Sequence, residues 1–243
     1  MKTIGLLGGM SWESSLEYYR LINQAVKRRL GGLHSAQCVL YSYDFAEIET
    51  LQHTDEWGQL TLRMIEGAQR LEDGGADCLV ICTNTMHRMA DEIEAAAGVP
   101  LLHIADAAAS AIRAMGLSTV GLLGTNFTMT GAFYRTRLGE RHNLQVLIPD
   151  SADRQAVHRI IYEELVLGEI RAESRNTYCE VIGRLEAAGA QGVILGCTEI
   201  PLLVSQADVD IPAFDTTTLH AEAAVDWALE STTTSSSTPA ARD

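Results

Sequence analysis

The chain has 243 residues, of which 47% are apolar and 21% charged, the make-up of a soluble globular protein with room for one large domain or two of ordinary size. With 18 basic and 32 acidic residues the formal net charge is −14. That charge argues against nucleic acid or an anionic membrane as partner, and no basic stretch offsets it.

In chain order, residues 4–7 predict a first strand, broken at Gly8-Gly9. This opening run is too short for a signal peptide, and no span approaches 18 apolar residues, so neither export nor a membrane span is expected. Ser11 offers an N-cap, and Leu16, Tyr19, Val26 and Leu30 space out one face of a helix ending at Gly31-Gly32. Residues 37–43 predict a second strand. Trp57, Leu60, Met64 and Leu71 give helical spacing over 55–73, and strand 77–82 leads into a burst of small polar residues. A helix over about 85–97 stops at Gly98 before Pro100, residues 101–104 form a fourth strand, and 105–115 a further helix.

Then the pattern restarts. IGLLG at 4–8 returns as VGLLG at 120–124, an offset of 116. A helix (about 128–139), strand 144–148, a long helical stretch over 153–188 broken near Gly168, and strand 192–196 follow. Residues 211–214 supply another strand and 217–229 a closing helix. RLEDGGADCLVICTNT at 70–85 likewise returns as RLEAAGAQGVILGCTE at 184–199, an offset of 114. Strands alternating with helices dictate parallel sheets with right-handed crossovers. The fold class is therefore α/β: two half-domains related by a pseudo-twofold, each a mainly parallel sheet flanked by helices, with the active site in the cleft between them. The polar, low-complexity tail 231–243 is expected to be disordered.

Ligands of open α/β sheets bind outside the carboxyl ends of the strands. Facing sheets would put Gly8-Gly9-Met10-Ser11 and Thr83-Asn84-Thr85 on one wall, Thr125-Asn126 and Cys197-Thr198-Glu199 on the other. Ser11, Asn84, Thr85, Thr125, Asn126 and Thr198 then form a rim of neutral donors suited to a carboxylate, because helix N-termini present free N–H groups. Each could equally be a plain N-cap; their recurrence at four equivalent turns favours a binding role. The 114-residue register sets Thr83 against Cys197, and the chemistry is placed on that duplicated strand end. Taken singly, a Cys after an apolar run is a small buried hydrophobe. Just before a helix start, however, Cys197 is expected to have a lowered pKa and to act as a thiolate base or nucleophile.

The five cysteines are odd in number and lie in strand- or helix-like runs, the usage of a reducing, cytoplasmic compartment. Cys78 and Cys82, four residues apart on a strand, stand about 13 Å apart, too far to share a zinc with ligands at about 2.3 Å. Cys82 with His87 is two ligands short, so no metal is expected. GLLGG fits neither the dinucleotide nor the P-loop spacing, and no nucleotide is expected. Cys38, Cys78 and Cys179 read as structural, and His87, His103 and His220 as caps or packing.

IGLLGGM at the start, TNTMH in mid-chain, GLLGT in the second half and a late GCTEI together resemble the aspartate/glutamate racemase family of cofactor-independent amino-acid racemases. The likeness runs over about residues 3–229 and is closest to the enteric-bacterial branch of aspartate/glutamate or broad-specificity racemases. It implies two-base chemistry without pyridoxal phosphate or other cofactor, with one group removing the α-proton and another returning one on the opposite face. The halves implied are 1–104 plus 209–230, with the C-terminal helix returning to the first half, and 105–208. A homodimer is also implied.

Most of the family carries Cys-Asn-Thr in the first half. Here Thr83 stands before Asn84-Thr85, and Cys82 lies one position earlier. Family motif and internal register both pair Thr83 with Cys197, although a Cys82/Cys197 pair is the alternative. As Thr83 is far the poorer base, turnover is expected to favour L to D. Catalytic candidates are thus Thr83 and Cys197; substrate-binding candidates are Met10, Gln52, Asn84, Thr85, Thr125, Thr198 and Glu199. Aspartate-specific relatives carry an Arg after the second strand and a Lys on the second-half helix. This chain has neither, with Val166 at the Lys position. Acidic amino acids are the first expectation from the resemblance, and uncharged polar ones the alternative. The rival functions are maleate isomerase or malonate decarboxylase chemistry on the same fold, or a non-catalytic amino-acid sensor.

Overall fold

The computed structural model describes residues 1–230; the tail expected to be disordered lies outside them. The first half places β1 (Ile4–Gly8), β2 (Cys38–Ser42), β3 (Cys78–Ile81) and β4 (Leu101–Leu102) in one parallel sheet ordered β2-β1-β3-β4. The second repeats it with β5 (Thr119–Gly124), β6 (Gln145–Leu147), β7 (Val193–Gly196) and β8 (Ala213–Asp215), ordered β6-β5-β7-β8. Residues of β1, β3 and β7 are all buried, as expected of parallel strands covered on both faces. The two sequence offsets carry the register across: Gly5 stands opposite Leu79, and Gly121 opposite Val193.

A physical reason for the repeated glycine follows. A Cβ on Gly5 would come within 2.7 Å of Ala76 Cβ and 3.4 Å of Leu71 Cβ, and one on Gly121 within 2.9 Å of Leu185 Cδ1. Leu71 and Leu185 are matched residues of the long repeat, so the same helix leans on the same bare backbone in both halves.

Helix α1 (Trp12–Leu30) begins at the predicted cap, with Ser11 accepting from the Ser14 N–H. Its buried face differs from the expected one. Ser14, Ser15, Tyr18, Ile22, Ala25 and Val26 face inward, while Leu16, Tyr19 and Leu30 are exposed. Small residues let α1 approach closely: the Ser14 hydroxyl donates to the Cys82 carbonyl at 2.6 Å.

Helix α2 (Phe45–His53) was not predicted. Helix α3 (Trp57–Asp73) buries Leu60, Met64 and Leu71 as its spacing indicates. The helix expected at 85–97 starts as a 3₁₀ turn (Thr85–Met89) before α4 (Ala90–Ala96), and α5 (Ile104–Ala114) follows. The helix expected at 128–139 is two, α6 (Asn126–Thr130) and α7 (Ala132–His142), meeting at Gly131. The stretch 153–188 divides into α8 (Ser151–Glu163), a 3₁₀ turn (Leu165–Leu167) and α9 (Ala172–Ala187), with Gly168 in the left-handed region at φ 76°. Beyond β7 come α10 (Ile200–Leu203) and α11 (Thr216–Leu229).

Strand β8 pairs with β7 in the second sheet, so that sheet runs past the expected boundary at residue 209. The chain returns to the first half only with α11. There Ala221, Ala224, Val225 and Ala228 pack with Tyr18, Ile22, Ala25 and Val26 of α1 over Ile4, Leu6 and Val80.

Candidate active site

The carboxyl ends of β1, β3, β5 and β7 converge on one pocket. Its volume is about 490 Å³, open solvent at the mouth included. Met10 and Ser11 follow β1, Thr83, Asn84 and Thr85 follow β3, Thr125 follows β5, and Cys197, Thr198 and Glu199 follow β7; all of them line it. Gln52 reaches it from α2, so every catalytic and substrate-binding candidate named from the sequence lies on this one surface. Asn126 does not: it is exposed, and its backbone N–H donates to His158 Nδ1 at 3.2 Å.

Thr83 and Cys197 are both half-buried on this lining. Cys82 is buried at 1% exposure in the layer between the first sheet and helices α1 and α11. Strand alternation accounts for the difference, since adjacent side chains leave a strand on opposite faces. Burial pushes the Cys82 thiol far above its usual range.

The half-crossing polar contacts explain how the two lobes hold one pocket. Thr85 and Thr125 hydroxyls meet at 3.2 Å, and each lies 3.3 Å from the hydroxyl of the fully buried Thr128. Asn84 donates from Nδ2 to Thr216 Oγ1 at 3.1 Å, and Thr216 donates on to the Leu195 carbonyl. Asn84 Oδ1 is buried with no partner among the described residues, an acceptor free for a donor such as a substrate ammonium.

Around Cys197 the expectation of a lowered pKa is corrected. Its thiol donates to Glu199 Oε2 at 2.8 Å. Burial and then the Glu199 carboxylate drive the thiol well above its ordinary range, against a smaller opposing effect of the Glu199 and Thr198 N–H groups. The following helix, α10, has only four residues, so its end contributes little against a touching carboxylate. Thr198 Oγ1 also donates to Glu199 Oε2 at 2.8 Å, and Ser11 Oγ to Oε1 at 3.3 Å.

His87, His103 and His220 do act as caps and packing. His103 Nδ1 accepts the Ala105 N–H at the start of α5. His220 Nε2 donates to the Leu102 carbonyl. His87 bonds the Thr83 carbonyl through Nδ1 at 2.8 Å and accepts from the Ile104 N–H, which ties the backbone of Thr83 to the start of α5. Among the described residues no group of three or more His, Cys, Asp or Glu side chains is gathered to hold a metal.

The remaining lining is apolar or aromatic: Phe45 from α2, Ile161 and Tyr162 from α8, and Val166 from the 3₁₀ turn. Phe45, Ile161 and Tyr162 were not singled out in the sequence. Tyr162 has its phenol pushed up to about 12 by burial and by the charges of Cys197, Glu49 and Glu199. Asp44, which caps α2 by accepting from the Ala46 N–H, was the signal that could have found Phe45 and its helix. Glu199 is the one Asp, Glu, Lys or Arg side chain on the lining.

Two like-folded parallel sheets meeting over a thiol and a ring of hydroxyls define the class of two-domain α/β racemases. The chain belongs to the Asp/Glu/hydantoin racemase family, whose sequence model matches residues 7–224, and so to the isomerases that act without pyridoxal phosphate. It is 56% identical to a Yersinia pestis protein of known crystal structure, provisionally named an Asp/Glu racemase, with a TM-score of 0.90 over 95% of this chain and 100% of that one. It is 34% identical to an aspartate racemase homologue from Pyrococcus horikoshii OT3, with a TM-score of 0.83 over 94% and 99% of the two chains. A broad-specificity amino-acid racemase of Bacillus subtilis is 25% identical over 91% of this chain and 96% of its own.

Proposed function

We propose that the protein racemises amino acids by two-sided proton exchange at Cα, with Cys197 and Thr83 as the opposed groups and L to D as the favoured direction. The observation that carries this is that both side chains, from matching strand ends of the two halves, line a single pocket. Cys197 as thiolate removes the α-proton of the L-enantiomer. Thr83 returns one on the other face, and as a base for the reverse direction its hydroxyl is far from an operating pH near 7. Asn84 Oδ1 suits the ammonium; the hydroxyls of Thr85, Thr125 and Thr198 suit the carboxylate. No cofactor enters this scheme.

Aspartate and glutamate are the first substrates to test, on the strength of the family and the named relatives. A second reading, uncharged polar amino acids, is favoured by a lining without Lys or Arg among the described residues. A second carboxylate would there rely on neutral donors such as Gln52. We read the protein as cytoplasmic and dimeric, in line with its free cysteines and family. Each amino acid, incubated with the protein in deuterated water, should be followed by NMR at the α-proton and by chiral chromatography. Exchange with loss of optical purity is the expected result. Binding with no exchange across a wide panel would point to a sensor, and loss of carboxylate carbon or double-bond isomerisation of a diacid to the alternative chemistries.

A further inference from the structure

Resting on the racemase reading above, we infer that Glu199 is the internal proton acceptor of Cys197, so that the sulfur and the carboxylate share one proton and work as a unit. The contacts leave the carboxylate committed to that task. Oε2 accepts from Cys197 Sγ and from Thr198 Oγ1, both at 2.8 Å, and Oε1 accepts from Ser11 Oγ at 3.3 Å. Glu199 is 7% exposed. It forms no ion pair with Lys, Arg or His among the described residues. The ionisable groups that face the pair from neighbouring elements are the Tyr162 phenol on α8 and the Tyr178 phenol on α9, with Glu49 and Glu164 beyond them. Glu13 and Glu17 of α1 and Asp215 of β8 also do so, sharing a second cavity with Glu199. None of these supplies a positive charge.

A carboxylate touching a thiol opposes a second negative charge on the sulfur. The sulfur therefore ionises at low cost only if its proton passes to the carboxylate, because the pair then carries one negative charge before and after. In that step the S–H bond breaks and an O–H bond forms at Oε2. The thiolate takes the α-proton: the C–H bond breaks, S–H re-forms, and the electron pair stays on Cα, spread into the substrate carboxylate. Thr83 gives its hydroxyl proton to the opposite face, O–H breaking as C–H forms. Water then returns a proton to the Thr83 oxygen, and Glu199 releases its own to water.

Glu199→Gln in the full chain tests this, with Glu199→Asp, which draws the carboxylate back by one methylene, as a second variant. Wild-type kcat is expected to stay flat between pH 6 and 8, since ionising the thiol moves its proton within the pair and not to solvent. In Glu199→Gln the thiol must lose its proton to solvent, so kcat should fall about tenfold per pH unit below the thiol pKa with KM little changed. Glu199→Asp should show a slope of the same sign. Independently of turnover, iodoacetamide alkylation of Cys197, read by peptide mass spectrometry between pH 6 and 8, should be nearly flat with pH in the wild type. In Glu199→Gln it should rise about tenfold per pH unit below the thiol pKa, because only the variant must lose the thiol proton to solvent. Parallel pH profiles for wild type and Glu199→Gln overturn the inference, as does a raised KM at unchanged kcat, which would mark Glu199 as an ammonium ligand. Failure of the wild type to exchange any α-proton would sink the racemase reading instead. The alkylation profiles then decide the pair alone, and parallel profiles in wild type and Glu199→Gln overturn the proton-sharing unit.

Discussion

At the scale of single residues, the proposed opposition of a thiol and a hydroxyl predicts different kcat values from the two enantiomers. Thr83→Cys gives the first half a base of usable pKa. We expect kcat from the D-enantiomer to rise by about 10²-fold, within the usual span of one general acid–base contribution, while kcat from the L-enantiomer changes little. The ratio kcat/KM stays equal in the two directions, as two equally stable enantiomers require. Chiral chromatography from both enantiomers reads this out, and unchanged D-to-L turnover would count against Thr83 as the opposed group. Cys82→Ala removes a sulfur from the core between the first sheet and α1, so it should lower stability by about 1–2 kcal/mol and leave the enantiomer ratio of the rates unaltered. The placement of Thr83 on the pocket and of Cys82 in the core was legible in the sequence, where the 114-residue register names Thr83 and strand alternation turns Cys82 away, although a Cys82/Cys197 pair stood as the alternative. What was not legible was the state of Cys197. Its pKa is raised by burial and then by a carboxylate two residues on, and both the burial and the folding back of that side chain on the sulfur are matters of tertiary packing rather than of spacing.

At the scale of elements, the helices that carry regular apolar spacing were read to within a few residues, as with α3 and its buried Leu60, Met64 and Leu71. Helix α1 was placed correctly and its face was not. Leu16 and Tyr19 fit a helical stripe as well as Tyr18 and Ile22 do, and only the strand and α11 beneath select the latter. The nine-residue α2 buries only Ile48 and Gln52, too few for periodicity to betray it. It nevertheless positions Phe45 and Gln52 on the lining. Removing its cap by Asp44→Ala should cost about 1 kcal/mol, measured by urea unfolding. The same variant should raise KM with kcat nearly unchanged, since α2 touches the substrate's far end in the proposed mode and not the reacting groups. An unaltered KM would remove α2 from substrate binding.

At the scale of the whole molecule, the duplication does the organising, since two copies of one strand order place two equivalent turns on opposite sides of a single pocket. Where the halves join, the buried His87 ring meets those of His103 and His220 at steep angles, with ring centroids 4.5 and 5.6 Å apart. Burial holds all three neutral, helped at His87 and His103 by Arg137 and neighbouring imidazoles and opposed at His220 by the Leu102 carbonyl and Asp106; His103 falls to about 2 and His220 to about 4. The unfolded chain binds protons at these sites below its ordinary pKa of about 6.5, and the folded chain does not. Stability is therefore full above that pH and falls as pH drops below it toward the folded values. The slope is up to about 1.4 kcal/mol per pH unit for each histidine. Urea unfolding at pH 7 and pH 5 should show this loss, and His220→Asn should lessen it; equal stability at the two pH values would contradict a neutral cluster.

The two-sided exchange itself is tested most directly by early turnover of the L-enantiomer in deuterated water, with the α-position of each enantiomer read by mass spectrometry after chiral separation. Opposed groups predict D-product carrying solvent deuterium at Cα, beside recovered L-substrate that still holds its own proton. Deuterium appearing equally in both enantiomers, or D-product that keeps the original proton, would mean that one group serves both faces and that the pairing of Thr83 with Cys197 is wrong.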